Sequence, residues 1–474
     1  MRSYLSVFLF VAFFPLYAQT SFDPQRTWPV DSLRHWLYDL MDEAALKHPG
    51  FYRYTTPERF RVRLDSAAAS INRPLNGLGY YRLLKPLLAQ IGCLHTGIAL
   101  PAEYTEKLAA LPGLLPLELF IGEDRHVYVL RDLSAVPQLT PGAEILSING
   151  RPVPDVLRIL MNAIPSDGYN QTLKLRMLNH RFPQWYQSMI GADTLYVLGV
   201  MQDGEQKTVE LSGLAATAMP PLPFAGEKPL QFEIQEGIGI LRIRSFARTP
   251  VRAAGQRFRP FIRKTFRSLR REGIRDLLLD LRYNTGGTDA HAAFLASYFF
   301  DSTFRYWDRI EVTPAIAAEI KGAARLFYRK PVLSEGRYLW QKTPFTKEFD
   351  FYEPQKPARN AYAGRCWLLT NGLCMSSCSD LTAVLRYNGK VSVIGEESGG
   401  AYQGNNSGMM PETVVPPGLI LTIPLQKYTT AVDTTLHRGR GTAPDHPLQG
   451  SLQDRLSGRD TEMEQALRII RENR

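Results

Sequence analysis

The chain is poor in the residues that most metal and redox sites require. It has four cysteines in 474 residues, Cys93, Cys366, Cys374 and Cys378, and eight histidines. Four cysteines so spaced do not make a disulfide framework. Cys374 and Cys378 stand four apart with no second cysteine pair or nearby histidine to complete a zinc site. Burial as small apolar residues is the expected role, with a Cys374–Cys378 bridge left open. The G-x-G-x-x-G dinucleotide spacing is absent, as are internal repeats and low-complexity tracts. Beyond the N-terminus no stretch reaches the length of a membrane span. The formal charge is +10, but the cations are scattered. Their densest run, Arg257 to Arg271, has no nucleic-acid motif and fits a solvated helix face, so no nucleic-acid partner is expected.

What is present begins with a leader. Arg2 precedes the short apolar run Leu5 to Leu16 and the small residue Ala18. This pattern predicts a secretory signal over 1–19, with export across the inner membrane to the periplasm and no membrane span after its removal.

The remaining length exceeds one ordinary core and predicts a multidomain protein. Leu33, Trp36, Leu37, Leu40 and Ala44 recur at helical spacing, and further helices are expected over 56–70 and 78–91, so 20–115 reads as a helical domain. From Leu117 the period changes to short strands, and 116–215 reads as a small strand-rich domain. A linker rich in Pro, Ala and Gly follows. Over 230–450 apolar strands at Gly239–Ile243, Leu277–Asp280, Cys366–Thr370 and Val391–Gly395 alternate with helical patterns, which predicts an α/β core. Residues 305–360 are less regular and are candidates for a lid or a strand excursion. A polar helical tail closes the chain over 451–474.

Two strand-to-turn junctions carry the chemistry. Asp280-Leu-Arg-Tyr-Asn-Thr-Gly-Gly287 ends in glycines that let a ligand approach the backbone. Asn371-Gly-Leu-Cys-Met-Ser-Ser-Cys-Ser-Asp380 sets a serine at the start of a helix, where free N–H groups favour developing negative charge. Ser376, Ser377 and Ser379 also suit plain helix capping. A nucleophilic hydroxyl needs a base. His95, His437 and His446 are the candidates, the last two in a polar C-terminal segment.

These segments together resemble peptidase family S41, which holds the carboxyl-terminal processing proteases and the tricorn core protease. Asp280 to Gly287 resembles D-L-R-x-N-x-G-G, Cys374 to Asp380 resembles S-A-S-A-S-E, Val393 to Gly400 resembles V-x-G-E-x-T-x-G, and Gly441 to Asp445 resembles G-V-x-P-D. The resemblance implies an α/β, ClpP/crotonase-like S41 catalytic core over 230–450 and a PDZ-like domain over 116–215. It implies Ser377 as nucleophile, with backbone oxyanion donors at Gly286, Gly287 and Cys378. It also implies a cofactor-free hydrolysis of peptide or unfolded protein substrates. Processing proteases of the family carry a lysine base where this chain has Ala401. The segment Gly92-Cys-Leu-His-Thr-Gly97 instead resembles the tricorn-like branch, which implies His95 as base. Its orienter is open among Thr96, Asp433, Glu396 and Glu397. With the lysine missing and no carboxylate just before Gly441, a non-catalytic peptide-binding protein is the alternative.

Overall fold

The computed structural model describes residues 22–221, 224–326, 328–341 and 353–474; the expected leader lies outside them. Four helices, Val30–Lys47, Pro57–Ser70, Gly77–Ala89 and Ala102–Ala110, lie in the N-terminal unit. The first buries Leu33, Leu37, Leu40, Met41 and Ala44, the one-sided stripe that helical spacing requires. The second starts where the Thr56 side chain accepts the Arg59 N–H and Pro57 takes the first turn. The third is capped by Asn76 and gives way to a turn at Gly92, whose φ of 73° suits glycine.

A separate sheet follows, in the order Leu117–Ile121, Val127–Asp132, Glu144–Ile148, Leu195–Gln202 and Glu205–Ser212, antiparallel throughout. Two helices accompany it, Val153–Ala163 and Thr172–Met189. The second is bent. Arg181 has non-helical dihedrals (φ −143°, ψ 31°) two residues before Pro183, whose missing N–H interrupts the helical ladder.

The core sheet runs Leu230–Gln235, Ile238–Ile243, Asp276–Asp280, Arg365–Thr370, Ser392–Gly395 and His446–Pro447. Its first pair is antiparallel and the rest are parallel. Parallel strands are covered on both faces, which is why they read as continuous apolar runs. Leu241, Leu277, Leu279 and Leu368 belong to the main core, while Ile240, Leu278, Trp367 and Leu369 face a second cluster. The C-terminal helix Thr461–Glu472 seals that second face with Met463, Ala466, Leu467 and Ile470. The helix expected as a polar tail is thus amphipathic and packed.

Two smaller sheets draw distant segments together. Trp307–Val312 pairs with Gln426–Thr430, so the start of the irregular 305–360 segment is a strand; residues 342–352 lie outside the described ones. Gly97–Ala99 pairs antiparallel with Leu419–Thr422, with Gly97 opposite Thr422. That ladder begins two residues after His95 and fixes the N-terminal unit to the C-terminal half of the core. Among the described residues no helix is long and apolar enough to cross a membrane.

Candidate active site

Ser377 is the first residue of the helix Ser377–Tyr387, which follows the core strand Arg365–Thr370. The residue before it, Ser376, has φ 56° and ψ −132°, a conformation that costs a non-glycine residue roughly 1–3 kcal/mol and persists only where the surroundings hold it. Those surroundings are the second turn. The Met375 N–H donates to the Asn284 carbonyl (3.3 Å), and Asn371 Oδ1 accepts from the Tyr283 and Leu373 N–H groups, each at 3.1 Å. Gly286 lies so close that a Cβ there would stand 2.8 Å from the Met375 oxygen and from Ser376 Cβ, and 3.1 Å from the Ser377 nitrogen. With φ 92° at Gly286 and 136° at Gly287, only glycine fits without strain.

Beneath this turn lies a buried ionic lattice. Arg282 donates to Asp280, Asp460 and Glu462, while Arg176 joins Glu462 to Glu396. Burial would raise the Asp280 carboxyl, but Arg282 and Arg244 outweigh it and hold it at about 2. The lattice ties the Gly286 turn to the C-terminal helix and to the bent helix of the second unit.

The expected oxyanion donors divide on inspection. The Cys378 N–H donates to the Met375 carbonyl (3.1 Å) and the Gly286 N–H to Asn284 Oδ1 (2.9 Å), so both are committed within their turns. Among the described residues nothing accepts from the N–H of Gly287 or of Ser377. Ser377 Oγ is buried without a hydrogen-bond partner. Cys374 and Cys378 are free buried thiols in contact through their sulfurs (2.6 Å).

His95 sits in the turn after the third helix, half-buried, with Nδ1 shielded from solvent and unpartnered. Burial lowers its pKa, against the pull of Asp167 and of the Asn406 backbone. Asp167 is itself buried. One oxygen accepts the Leu94 N–H (3.0 Å) and the other the Ala401 N–H (3.1 Å). Burial raises its carboxyl, with His95 and the two amides opposing. Ala401, where the resemblance would put a lysine, therefore contributes its backbone N–H. Its neighbour Gly400 packs against the Ser377 helix, where a Cβ would stand 2.2 Å from Ser379 Oγ and 3.0 Å from the Ser376 nitrogen. Asp167, Gly400 and Ala401 thus connect the His95 turn to the Ser377 turn, although Ser377 Oγ makes no hydrogen bond to His95 or to any other described residue.

A second buried carboxylate lies one helical turn beyond Ser377. Asp380 accepts from Trp307 Nε1 (3.3 Å) and Asn405 Nδ2 (3.1 Å). Burial pushes it up to about 7, with those two donors opposing.

The expected orienters fall out differently. Glu396 is paired with Arg176 and the Gly372 N–H (2.9 Å). Glu397 holds Arg440, the Gly441 N–H (2.6 Å) and Asn170 (3.1 Å). Asp433 closes a local turn with Thr435 (2.9 Å to its N–H). Thr96 is buried beside His95 with Oγ1 unpartnered. The carboxylate beside His95 is Asp167, which the sequence reading missed; in Pro165-Ser-Asp-Gly-Tyr169 it looks like an ordinary turn residue. Of the other histidines, His437 lies edge-on to Tyr402 and His446 against Trp367.

The model of peptidase family S41 matches residues 237–448. Among solved structures, mature CPAF complexed with lactacystin is similar over 93% of this chain and 97% of that one, at 13% identity and a TM-score of 0.63. Mature CPAF alone is similar over 92% and 96%, at 14% identity and a TM-score of 0.59. At such identities the likeness is one of fold.

Proposed function

We propose that this protein, a serine-type peptidase by the S41 match over residues 237–448, cuts peptide bonds in exported proteins or peptides. It acts as an endopeptidase or carboxyl-terminal processing enzyme, with Ser377 as nucleophile and His95 as base in the manner of the tricorn-like branch. The observation that carries this reading is the Ser377 turn itself. A hydroxyl at a helix start is held by a strained Ser376 against Gly286, with unpartnered N–H groups on Gly287 and Ser377.

The steps follow from those positions. Burial keeps His95 neutral near pH 7, so it can take the Ser377 proton as Oγ attacks the carbonyl carbon. The N–H groups of Gly287 and Ser377 receive the oxyanion, a role typically worth about 3 kcal/mol per donor. His95 returns the proton to the leaving amine, and water then releases the acyl group by the same route. Asp167 fixes the His95 turn and stabilises the imidazolium. The six-stranded unit over 116–215 is proposed as PDZ-like and able to take a peptide strand, and the site of action as the periplasm.

A non-catalytic peptide binder is the second reading, favoured by Ala401 at the lysine position and by the unbonded Ser377 Oγ. A fluorophosphonate probe separates the two. Labelling that disappears in Ser377→Ala supports the enzyme; peptide binding without labelling supports the binder.

A further inference from the structure

A cavity of about 620 Å³ opens beside the Ser377 turn. Met375, two residues before the nucleophile, and Thr285, next to Gly286, form its near wall. Tyr81 of the N-terminal unit, Met177 and Trp185 of the bent helix, and Tyr283 form the rest. Three separate parts of the chain thus converge on one largely apolar recess beside the Ser377 turn. Tyr283 is held at φ 64°, and its ring packs on Phe224 (centroids 4.4 Å apart) and edge-on to His180 (5.5 Å). The left-handed backbone at Tyr283 belongs to the same turn that supplies Gly286.

The recess is not purely apolar. His180 Nε2 and Gln184 Oε1 line it, buried and without partners among the described residues. Unpaired buried polar atoms are costly, so groups left this way suit a ligand that completes them. The lining also carries a cation, Arg181, whereas Arg176 and Arg455 farther back are paired with Glu462. Arg176, Arg455 and Arg181 act on His180, which burial and those charges bring down to about 4, so the ring is neutral. Lys85 Nζ stands 5.3 Å from the Trp185 ring centroid and 5.7 Å from that of Tyr81, behind the wall.

We infer that this recess is the specificity pocket of the peptidase, taking a large uncharged, preferably aromatic, side chain flanking the scissile bond and rejecting lysine and arginine. The inference rests on the serine peptidase reading of Ser377. The volume admits the largest natural side chain, the walls offer ring-to-ring contact, and Arg181 in the lining, with Lys85 behind it, opposes a second cation.

The test is cleavage-site profiling of the signal-free chain on a peptide library, with Met177→Trp to fill the recess and Trp185→Ala to widen it. The expected wild-type profile has aromatic residues at one position flanking the cut, favoured at least about tenfold over Lys and Arg. Met177→Trp should shift that position to small residues while small-residue peptides are still cut, and Trp185→Ala should weaken the aromatic preference. A wild-type profile without this enrichment overturns the inference, as does an unchanged profile in both variants. Failure of the peptidase reading looks different: no peptide is cut and no probe labels Ser377, and the pocket assignment then falls with it.

Discussion

Asp167 bonds the amide immediately before His95, through Leu94 at 3.0 Å, and by its other oxygen the amide of Ala401 at 3.1 Å. One buried carboxylate therefore sets the His95 turn against the segment that packs on the Ser377 helix. Asp167→Asn keeps an oxygen for one amide, removes the charge and turns a donor toward the other. The expected result is a fall in kcat on the order of 10²–10⁴-fold with KM little changed. A variant that lost only fold stability would not move the pH profile. Here, losing the charge that raises the His95 pKa should carry the acidic limb of kcat/KM to lower pH. That limb should itself lie below the ordinary histidine value of 6.5, because burial lowers His95. Steady-state kinetics from pH 4.5 to 8 check both effects.

Gly286→Ala brings a methyl group within 2.8 Å of the Met375 oxygen at a φ of 92°. The Gly286 turn and the Ser377 turn cannot both keep their places. Activity should drop by about 10²-fold or more, since displacement of an oxyanion donor is of that order. Thermal unfolding should show a cost of roughly 1–3 kcal/mol. Kinetics beside a melting curve distinguish a displaced site from an unfolded one.

Asp380 gives the fold a pH dependence of known sign. Its folded pKa is raised from 3.8 to about 7, so its contribution is fully present below about pH 4 and is lost as pH rises through about 7. Asp380→Asn removes this proton linkage. Between pH 5 and 8.5 the wild type should lose stability relative to the variant, by an amount of order 1 kcal/mol or more. Denaturant midpoints across that range measure it, and parallel curves for the two proteins would contradict the assignment.

Arg282 holds three carboxylates in a buried site, those of Asp280, Asp460 and Glu462. Arg282→Met removes the cation and leaves Asp280 buried with Arg244 and Arg242 as its remaining cationic neighbours among the described residues. The expected destabilisation is about 3–5 kcal/mol. Because Asp280 begins the Gly286 turn, peptidase activity should fall in the still-folded protein. Chemical denaturation and an activity assay at low temperature check the two parts.

The sequence made the core legible because its parallel strands are buried on both faces. Leu277 to Leu279 and Val393–Ile394 are apolar without interruption, and each ends in a turn with distinctive residues. The helix Thr172–Met189 escaped because Pro183 and the bend at Arg181 break its period. The last helix looked polar because only one stripe, Met463 to Ile470, is apolar. The carboxylate beside His95 was illegible for another reason. Glu396 and Glu397 stand beside a family motif, yet a carboxylate reads the same whether it faces an imidazole or Arg176 and Arg440. Asp167 owes its place to contacts 73 and 234 residues away, which no local pattern encodes.

The pairing of His95 with Ser377 across 282 residues is the central claim. Its most direct test is kcat/KM of His95→Ala, Ser377→Ala and the double variant on one cleaved peptide, each with an unfolding curve. Each single substitution should cost on the order of 10⁴-fold or more, and the double variant should be no slower than the worse single, because the two groups act as one unit. A folded His95→Ala protein that cuts at the wild-type rate would contradict the account.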